Sequence, residues 1–100
     1  MRRLGTYDVE GNERAAIHGL VDFADKHVFE VGCSEGRMTW LYADSAASVF
    51  AFDPDDEVIA TARARTPDAL RSKVEFRVAD LLEVDLEPQR YDIGLFAWSI

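Results

Sequence analysis

Apolar residues are concentrated in four short runs along the chain: 27–31, 48–53, 74–78 and 91–98. The second and fourth runs are apolar almost throughout, which is typical of parallel strands that are covered on both faces. In the third run, Val74, Phe76 and Val78 alternate with charged residues, so this run predicts an edge strand with one polar face. The pattern therefore indicates four β-strands.

The segments between these runs carry apolar residues at helical spacing. The first helix is predicted to begin at the N-cap Asn12 and to end near Asp25. A second helix is predicted directly after the first strand. A third is predicted from Asp55 to about Arg65, and it ends before Pro67 because proline disfavours helical geometry at the preceding residue.

Strands that alternate with helices predict a parallel sheet with right-handed crossovers, in the order 3-2-1-4. The expected fold class is α/β, with three layers in which helices lie on both faces of the sheet. We expect a single domain over residues 1–100, with an N-terminal helix or lid at 1–25 and the core at 27–100. The chain stops directly after the fourth strand, so we expect a truncated domain that lacks its C-terminal strands.

A glycine turn follows the first strand and contains Gly32 and Gly36. In an open α/β sheet, ligands bind at this edge, and glycine lets them approach the main chain. A nicotinamide dinucleotide site would need glycine also where Ser34 and Arg37 stand. Glu35 would oppose a pyrophosphate at the helix N-terminus. The turn therefore favours a phosphate-free ligand, with a plain tight turn as the alternative.

Two further carboxylates follow strands at the same predicted edge. Asp53 ends the second strand, where it could accept hydrogen bonds from both hydroxyls of a ribose. Its alternative role is to cap the third helix, with Pro54 in the first helical position. Asp80 follows the third strand, where it could accept a hydrogen bond from an adenine amino group. Its alternative is a solvated loop acid.

The net charge and the content of apolar residues, cysteine and histidine limit the partners that we expect for this chain. The formal net charge of −8 would repel nucleic acid and anionic membranes, so neither is an expected partner. No apolar run approaches the length of a membrane span, and no export signal is evident, so we expect a cytoplasmic protein. The single cysteine, Cys33, excludes an internal disulfide, and the two histidines have no partners at metal-ligand spacing. We therefore expect no metal site.

Four ordered sequence blocks carry a family resemblance: VFEVGCSEG at 28–36, Asp53, VADL at 78–81 and YDIGLF at 91–96. Over residues 28–98 the chain resembles class I S-adenosylmethionine-dependent methyltransferases. The first block resembles the family motif acid-x-G-x-G-x-G, except that Ser34 replaces the middle glycine. The resemblance implies a Rossmann-like fold and S-adenosyl-L-methionine as the cofactor.

The resemblance also implies roles for individual residues. Glu30 would help to orient the methionine end of the cofactor, and Asp53 would bind the ribose. The turn residues that would pack against the methionine and sulfonium region are Gly32, Cys33, Ser34 and Gly36. The residues that would contact the adenine are Pro54, Asp80 and Leu81. Ala97 or Trp98 would border the transferred methyl group, and no catalytic residue is assigned.

The function expected from these roles is methyl transfer to an unidentified acceptor, for which a small molecule is favoured, with this chain supplying the cofactor-binding half. The first alternative is a non-catalytic cofactor-binding fragment or pseudoenzyme. The second is an NAD-dependent oxidoreductase, against which the glycine spacing argues. The unpaired edge of the fourth strand further predicts that the chain self-associates.

Overall fold

The computed structural model describes residues 9–84 and 90–96, with residues 9–13 as backbone only. The helices are α1 (Val9–Leu20), α2 (Thr39–Tyr42) and α3 (Asp56–Arg65), and a short 3₁₀ helix spans Asp68–Leu70. The strands are β1 (His27–Val31), β2 (Ser48–Asp53), β3 (Val74–Val78) and β4 (Ile93–Phe96). None of the described helices is long and apolar enough to cross a membrane.

The four strands form one parallel sheet in the order β3-β2-β1-β4, which confirms the predicted order and the α/β, Rossmann-like fold class. In the register, Val31 of β1 lies beside Phe52 of β2 and Phe96 of β4. Asp53 of β2 lies beside Val78 of β3. The carboxyl ends of all four strands therefore meet at one edge, where the glycine turn begins.

The described helices all contribute to one face of the sheet. Because side chains alternate along a strand, Val28 and Glu30 of β1 point to one face and Phe29 and Val31 to the other. The core cluster that contains Val28 includes residues of α1, α2 and α3. The cluster that contains Val31 includes no residue from any described helix. The described part of the chain thus forms the sheet and one helical layer.

The fourth strand differs from its expectation. Its apolar sequence predicted burial on both faces, but its described residues alternate between half-buried and exposed, and Phe96 is 57% exposed. The physical reason is position: within the described residues, β4 pairs with β1 alone and lies at the edge of the sheet.

The ends of α1 and the cap of α3 also differ from expectation. α1 begins at Val9 and ends at Leu20, so Asn12 lies inside the helix and the predicted end near Asp25 is wrong. The chain turns there because the carboxylate of Asp22 accepts a hydrogen bond from the Ala24 N–H and Asp25 adopts a positive φ of 60°. At α3, the N-cap is Asp55, whose carboxylate accepts hydrogen bonds from two amides of the first turn. α3 ends before Pro67, as predicted.

Candidate functional site

Three residues of the glycine turn have left-handed backbone, and the start of the turn is hydrogen-bonded to β2. Gly32, Ser34 and Gly36 have φ values of 73°, 52° and 90°, which glycine adopts readily and serine does not. The N–H groups of Gly32 and Cys33 both donate to the carbonyl of Phe52, at 2.9 and 3.2 Å. The turn therefore continues the sheet hydrogen bonding past the end of β1 and presents main chain at the ligand edge.

Asp53 joins the glycine turn to the end of β2. One carboxylate oxygen accepts a hydrogen bond from the Ser34 N–H at 3.0 Å, and the other accepts one from the Asp55 N–H at 3.0 Å. The cap of α3 is Asp55, so the alternative that Asp53 and Pro54 cap that helix is wrong. Each carboxylate oxygen has two lone pairs, so both can still accept a hydroxyl hydrogen. The half-buried Asp53 side chain is thus held in one orientation with acceptor capacity remaining.

Glu30 lies beneath the turn and is fully buried. One of its oxygens, Oε1, accepts hydrogen bonds from the Thr39 hydroxyl at 2.7 Å and the Tyr42 hydroxyl at 2.5 Å. The other, Oε2, is buried without a hydrogen-bond partner. Burial raises the pKa of Glu30 from 4.5 to about 7, although the two hydroxyl hydrogen bonds favour the ionised form. Glu30 is thus a buried carboxyl whose charge is only partly compensated.

Cys33 lies in the turn between these two acids. It is 2% exposed, and burial raises the pKa of its thiol to about 12, with smaller contributions from the charges of Glu30 and Asp53. The thiolate is therefore scarce at neutral pH, which fits a main-chain role for Cys33 and not that of a nucleophile. Burial and the charge of Glu30 likewise raise the pKa of Tyr42 above its ordinary range.

Asp80 follows β3 at the same edge and has a local structural role. Its Oδ1 accepts hydrogen bonds from the N–H groups of Leu82 and Glu83, at 2.8 and 3.2 Å. Its own N–H donates to the Glu83 carboxylate at 3.0 Å, so the two acids cap this turn reciprocally. Leu81, within the turn, is 39% exposed. The turn is anchored next to Asp53, because the Ala79 N–H donates to the Asp53 carbonyl at 3.0 Å.

The structure brings most of the predicted site residues to this edge. The residues of the glycine turn, Asp53, the exposed Pro54, Asp80 and Leu81 all follow the carboxyl ends of β1, β2 and β3. Glu30 lies within β1, two residues before Gly32, and is buried. Ala97 and Trp98 lie outside the described residues. Glu35, which we expected to oppose a phosphate, forms a 3.1 Å ion pair with Arg65.

Thr39 and Tyr42, the two donors to Glu30, are not among the residues predicted from the sequence. A signal existed, because a carboxyl inside an apolar strand needs donors and the next helix offers two hydroxyls one turn apart. The link between Asp53 and the Ser34 N–H carries no such signal, since any residue except proline supplies that donor.

The comparison with known protein families gives one match over most of the chain. A family model described as a methyltransferase domain matches residues 28–99. Among curated protein sequences, none matches significantly.

Several solved structures share the fold. Phosphoethanolamine N-methyltransferase 1 of Haemonchus contortus, solved with phosphoethanolamine and S-adenosylhomocysteine, has a TM-score of 0.77 at 22% identity, over 93% of this chain and 20% of that one. An S-adenosylmethionine-dependent methyltransferase from Mesorhizobium loti gives 0.69 at 22% identity, over 92% and 41%. Magnesium protoporphyrin IX methyltransferase from Synechocystis, with bound S-adenosylmethionine, gives 0.68 at 18% identity, over 87% and 41%.

This chain spans between a fifth and about two fifths of the length of these three proteins. At such identities the likeness shows the fold alone, while the family model covers most of the chain. The chain belongs to the methyltransferase domain family that this model describes.

Proposed function

We propose that this chain forms the cofactor-binding part of an S-adenosylmethionine-dependent methyltransferase. The observation that carries the proposal is the connection between Asp53 and the glycine turn, in which two main-chain N–H groups orient a half-buried carboxylate beside exposed main chain. Oriented carboxylates next to a glycine turn suit the two hydroxyls of a ribose. The family membership and the cofactor-bound neighbours support the same ligand.

The charges around the turn fit a cationic cofactor. Glu30 and Asp53 lie close enough to Cys33 for both of their charges to raise the pKa of its buried thiol. Two carboxylates at this distance favour a sulfonium or ammonium ligand and disfavour a pyrophosphate. The buried Oε2 of Glu30 has no hydrogen-bond partner, so this carboxyl has an oxygen that no described donor satisfies. The residues present therefore fit S-adenosylmethionine better than NAD.

The chain's own residues would bind and orient the cofactor. Asp53 would accept from the ribose hydroxyls, and the main chain at Gly32 and Ser34 would pack against the methionine end. The residues around the adenine would be Pro54, Asp80 and Leu81. Bound S-adenosylmethionine supplies a methyl group activated by its sulfonium. Methyl transfer needs the acceptor atom, the methyl carbon and the sulfur in a line, and this chain would fix the position of the sulfur.

The acceptor we favour is a small molecule. A net charge of −8 repels nucleic-acid phosphates, and the Haemonchus contortus neighbour was solved with phosphoethanolamine. A filter-binding assay with single-stranded and duplex RNA at low salt should detect no retention. Retention at micromolar chain concentration would contradict the small-molecule preference.

The cofactor proposal is tested by thermal unfolding of the full chain with excess S-adenosylmethionine, S-adenosylhomocysteine or NAD. We expect both sulfur compounds to raise the melting temperature and NAD to leave it unchanged. Asp53→Ala should abolish the shift. The matched control is Asp68→Ala, which removes the same charge from a carboxylate that is 98% exposed and lies before β3, at the opposite edge of the sheet.

Each outcome separates the candidates. A shift lost in Asp53→Ala and kept in Asp68→Ala supports the proposal. A shift with NAD alone would support an oxidoreductase. No shift in a folded sample would contradict cofactor binding. A shift without methyl transfer in any longer form of the chain would favour the second candidate, a non-catalytic binding fragment.

We also propose that the chain self-associates along β4. Within the described residues β4 pairs with β1 alone and lies at the edge of the sheet. Unpaired apolar strands tend to associate. Size-exclusion chromatography at rising concentration should show a species larger than the 11.3 kDa chain. A monomer at all concentrations would overturn this proposal.

A further inference from the structure

Glu30 is an incompletely satisfied carboxyl in the helix-covered core. It is 0% exposed, both of its hydrogen bonds reach the same oxygen, and Oε2 has no partner. The hydrogen bonds that Glu30 receives come from the hydroxyls of Thr39 and Tyr42, and neither of these groups carries a positive charge. A buried carboxylate without a counter-ion is costly, so the charge is stabilised only if something else supplies a positive group.

The elements around Glu30 supply no such group. The neighbouring strands place Ala51 and Leu95 level with it. From α2 it receives the hydroxyls of Thr39 and Tyr42. α1 and α3 contribute apolar side chains to the same core cluster, while Arg14 and His18 of α1 bond to the Leu41 carbonyl of α2 and not to Glu30. The groups that titrate near Glu30 are therefore the Tyr42 phenol and the Cys33 thiol, and neither carries positive charge.

The glycine turn lies within electrostatic reach of Glu30. Glu30 precedes Gly32 by two residues, and its negative charge helps to raise the pKa of the Cys33 thiol in the turn. A negative group in the turn is thus disfavoured by Glu30. By the same interaction, a cation that lies on the turn favours the ionised form of Glu30. The ligand proposed above carries an ammonium group at its methionine end.

We propose that Glu30 holds a proton while the glycine turn is empty and releases it to solvent when the ammonium end of the cofactor binds there. This inference rests on the proposed function. The exchange balances: a neutral carboxylic acid becomes a carboxylate beside the ammonium group of the ligand, which keeps its own protons, and the proton of the acid passes to the buffer. Glu30 is thereby a positioning residue that favours ligands with an ammonium group at the end that lies on the turn. The pKa of about 7 for the empty site sets the range in which the exchange is visible.

The exchange makes binding depend on pH. Below pH 7 the proton must be removed before Glu30 can favour the ligand, so the dissociation constant should rise about tenfold for each pH unit. The number of protons released per bound ligand should approach one near pH 6, equal about one half at pH 7 and fall to about one tenth at pH 8.

The experiment is isothermal titration calorimetry of the full chain with S-adenosylhomocysteine, in phosphate and in imidazole buffer at each pH. This ligand keeps the ammonium group but lacks the sulfonium charge, so it isolates the methionine end. Because the two buffers differ in ionisation enthalpy, the difference in heat counts the protons released. Adenosine, which lacks the methionine end, should release none.

Glu30→Gln is the matched variant, since its amide oxygen can still accept from Thr39 and Tyr42. We expect it to bind S-adenosylhomocysteine without proton release and without the tenfold dependence on pH. Thr39→Val is a second variant in case Glu30→Gln does not fold. It removes one donor to the carboxylate, so half-maximal proton release should move to higher pH.

Two negative results are distinguishable. If S-adenosylhomocysteine binds with equal heat in both buffers at pH 6, the proton exchange is overturned and the cofactor site stands. The exchange also fails if proton release persists in Glu30→Gln or keeps its pH midpoint in Thr39→Val. If S-adenosylhomocysteine does not bind the folded chain at all, the proposed function fails first.

Discussion

On one face of the sheet, β1 presents Val28 and Glu30 to the three helices, and on the other it presents Phe29 and Val31, which no described helix meets. The helix-covered face is closed so completely that Glu30 and Tyr42 are both 0% exposed. A polar group there must find donors within the fold. Thr39 and Tyr42 supply them, directly below the glycine turn.

The opposite face is built from aromatic rings that cover one another. Tyr91 packs edge-on against Phe29 at a centroid distance of 5.5 Å and lies parallel to Phe50 at 6.4 Å. The guanidinium of Arg77 lies 5.0 Å from the centre of the Phe50 ring. Phe29, Phe50 and Tyr91 each stay partly exposed, and within the described residues the buried part of this face is limited to the small cluster of Val31, Phe52 and Ala79. Both faces therefore bury residues, including Phe52 and Val31 on the aromatic face, but the buried carboxyl with a raised pKa lies on the helix-covered face.

The difference in packing between the two faces is tested most directly by removing one aromatic side chain from each face. Tyr42→Ala should lower the free energy of unfolding by about 3–5 kcal/mol, because Tyr42 is fully buried and stacks on Phe23 at 4.6 Å. Phe50→Ala should cost roughly half as much, since the ring is only half-buried. Urea denaturation of both variants tests the difference. Equal losses would mean that the two faces are equally well packed.

The next largest effect is the pH dependence that Glu30 gives to the helix-covered face. Its pKa is about 7 in the folded chain and 4.5 as a free group, so folding favours the protonated form. This contribution to stability is complete below pH 4.5 and is lost as the pH rises to about 7, by about 3 kcal/mol. The difference in the free energy of unfolding between the wild-type chain and Glu30→Gln, measured by urea denaturation across this pH range, isolates the effect. Parallel stability curves for the two proteins would rule it out.

The aromatic face is tested by Gly94→Ala. An added Cβ would lie 2.4 Å from the Phe29 ring, so the ring must move, at a cost of about 1–3 kcal/mol. Gly19→Ala is the control: nothing lies within 4 Å of its Cβ position, and alanine in the exposed helix should stabilise by about 0.5–1 kcal/mol. Thermal unfolding should therefore move in opposite directions for the two variants. The packing argument fails if both move upward.

The sequence predicted the strands and their order because hydrophobic patterning is a strong signal over a buried sheet. β2 spans the predicted residues 48–53. Helix ends were less predictable, because local turn chemistry competes with the pattern. Asp22 turns the chain after α1, and among three nearby acids it is Asp55, not Asp53, that caps α3.

The position of the candidate site residues at the sheet edge could be predicted because each ends or follows a strand. Their partners could not, since the contacts arise from packing. Tyr42 reaches Glu30 only because α2 lies across β1, twelve residues farther along the chain. The raised pKa of Glu30 has the same origin, because burial depends on what covers a residue and not on its neighbours in sequence.

The smallest predicted effect concerns Ser34, which lies in the turn after the carboxyl end of β1. Serine holds a φ of 52° in the position where the family motif has glycine, and left-handed backbone costs a residue with a Cβ about 1–2 kcal/mol. Ser34→Gly removes that strain but also raises the conformational entropy of the unfolded chain. We therefore expect a gain in stability of at most about 1 kcal/mol.

The Ser34 N–H that donates to Asp53 is a main-chain group, so Ser34→Gly keeps this hydrogen bond and the orientation of the carboxylate. Asp25→Gly is the matched control, because Asp25 is the other described non-glycine residue with a positive φ and lies away from the ligand edge. Both variants should change thermal stability slightly. Only Ser34→Gly should enlarge the thermal shift caused by S-adenosylhomocysteine, because only there does the side chain stand over the main chain that the ligand approaches. An equal shift in Ser34→Gly, Asp25→Gly and wild-type chain would mean that the ligand does not lie on this turn.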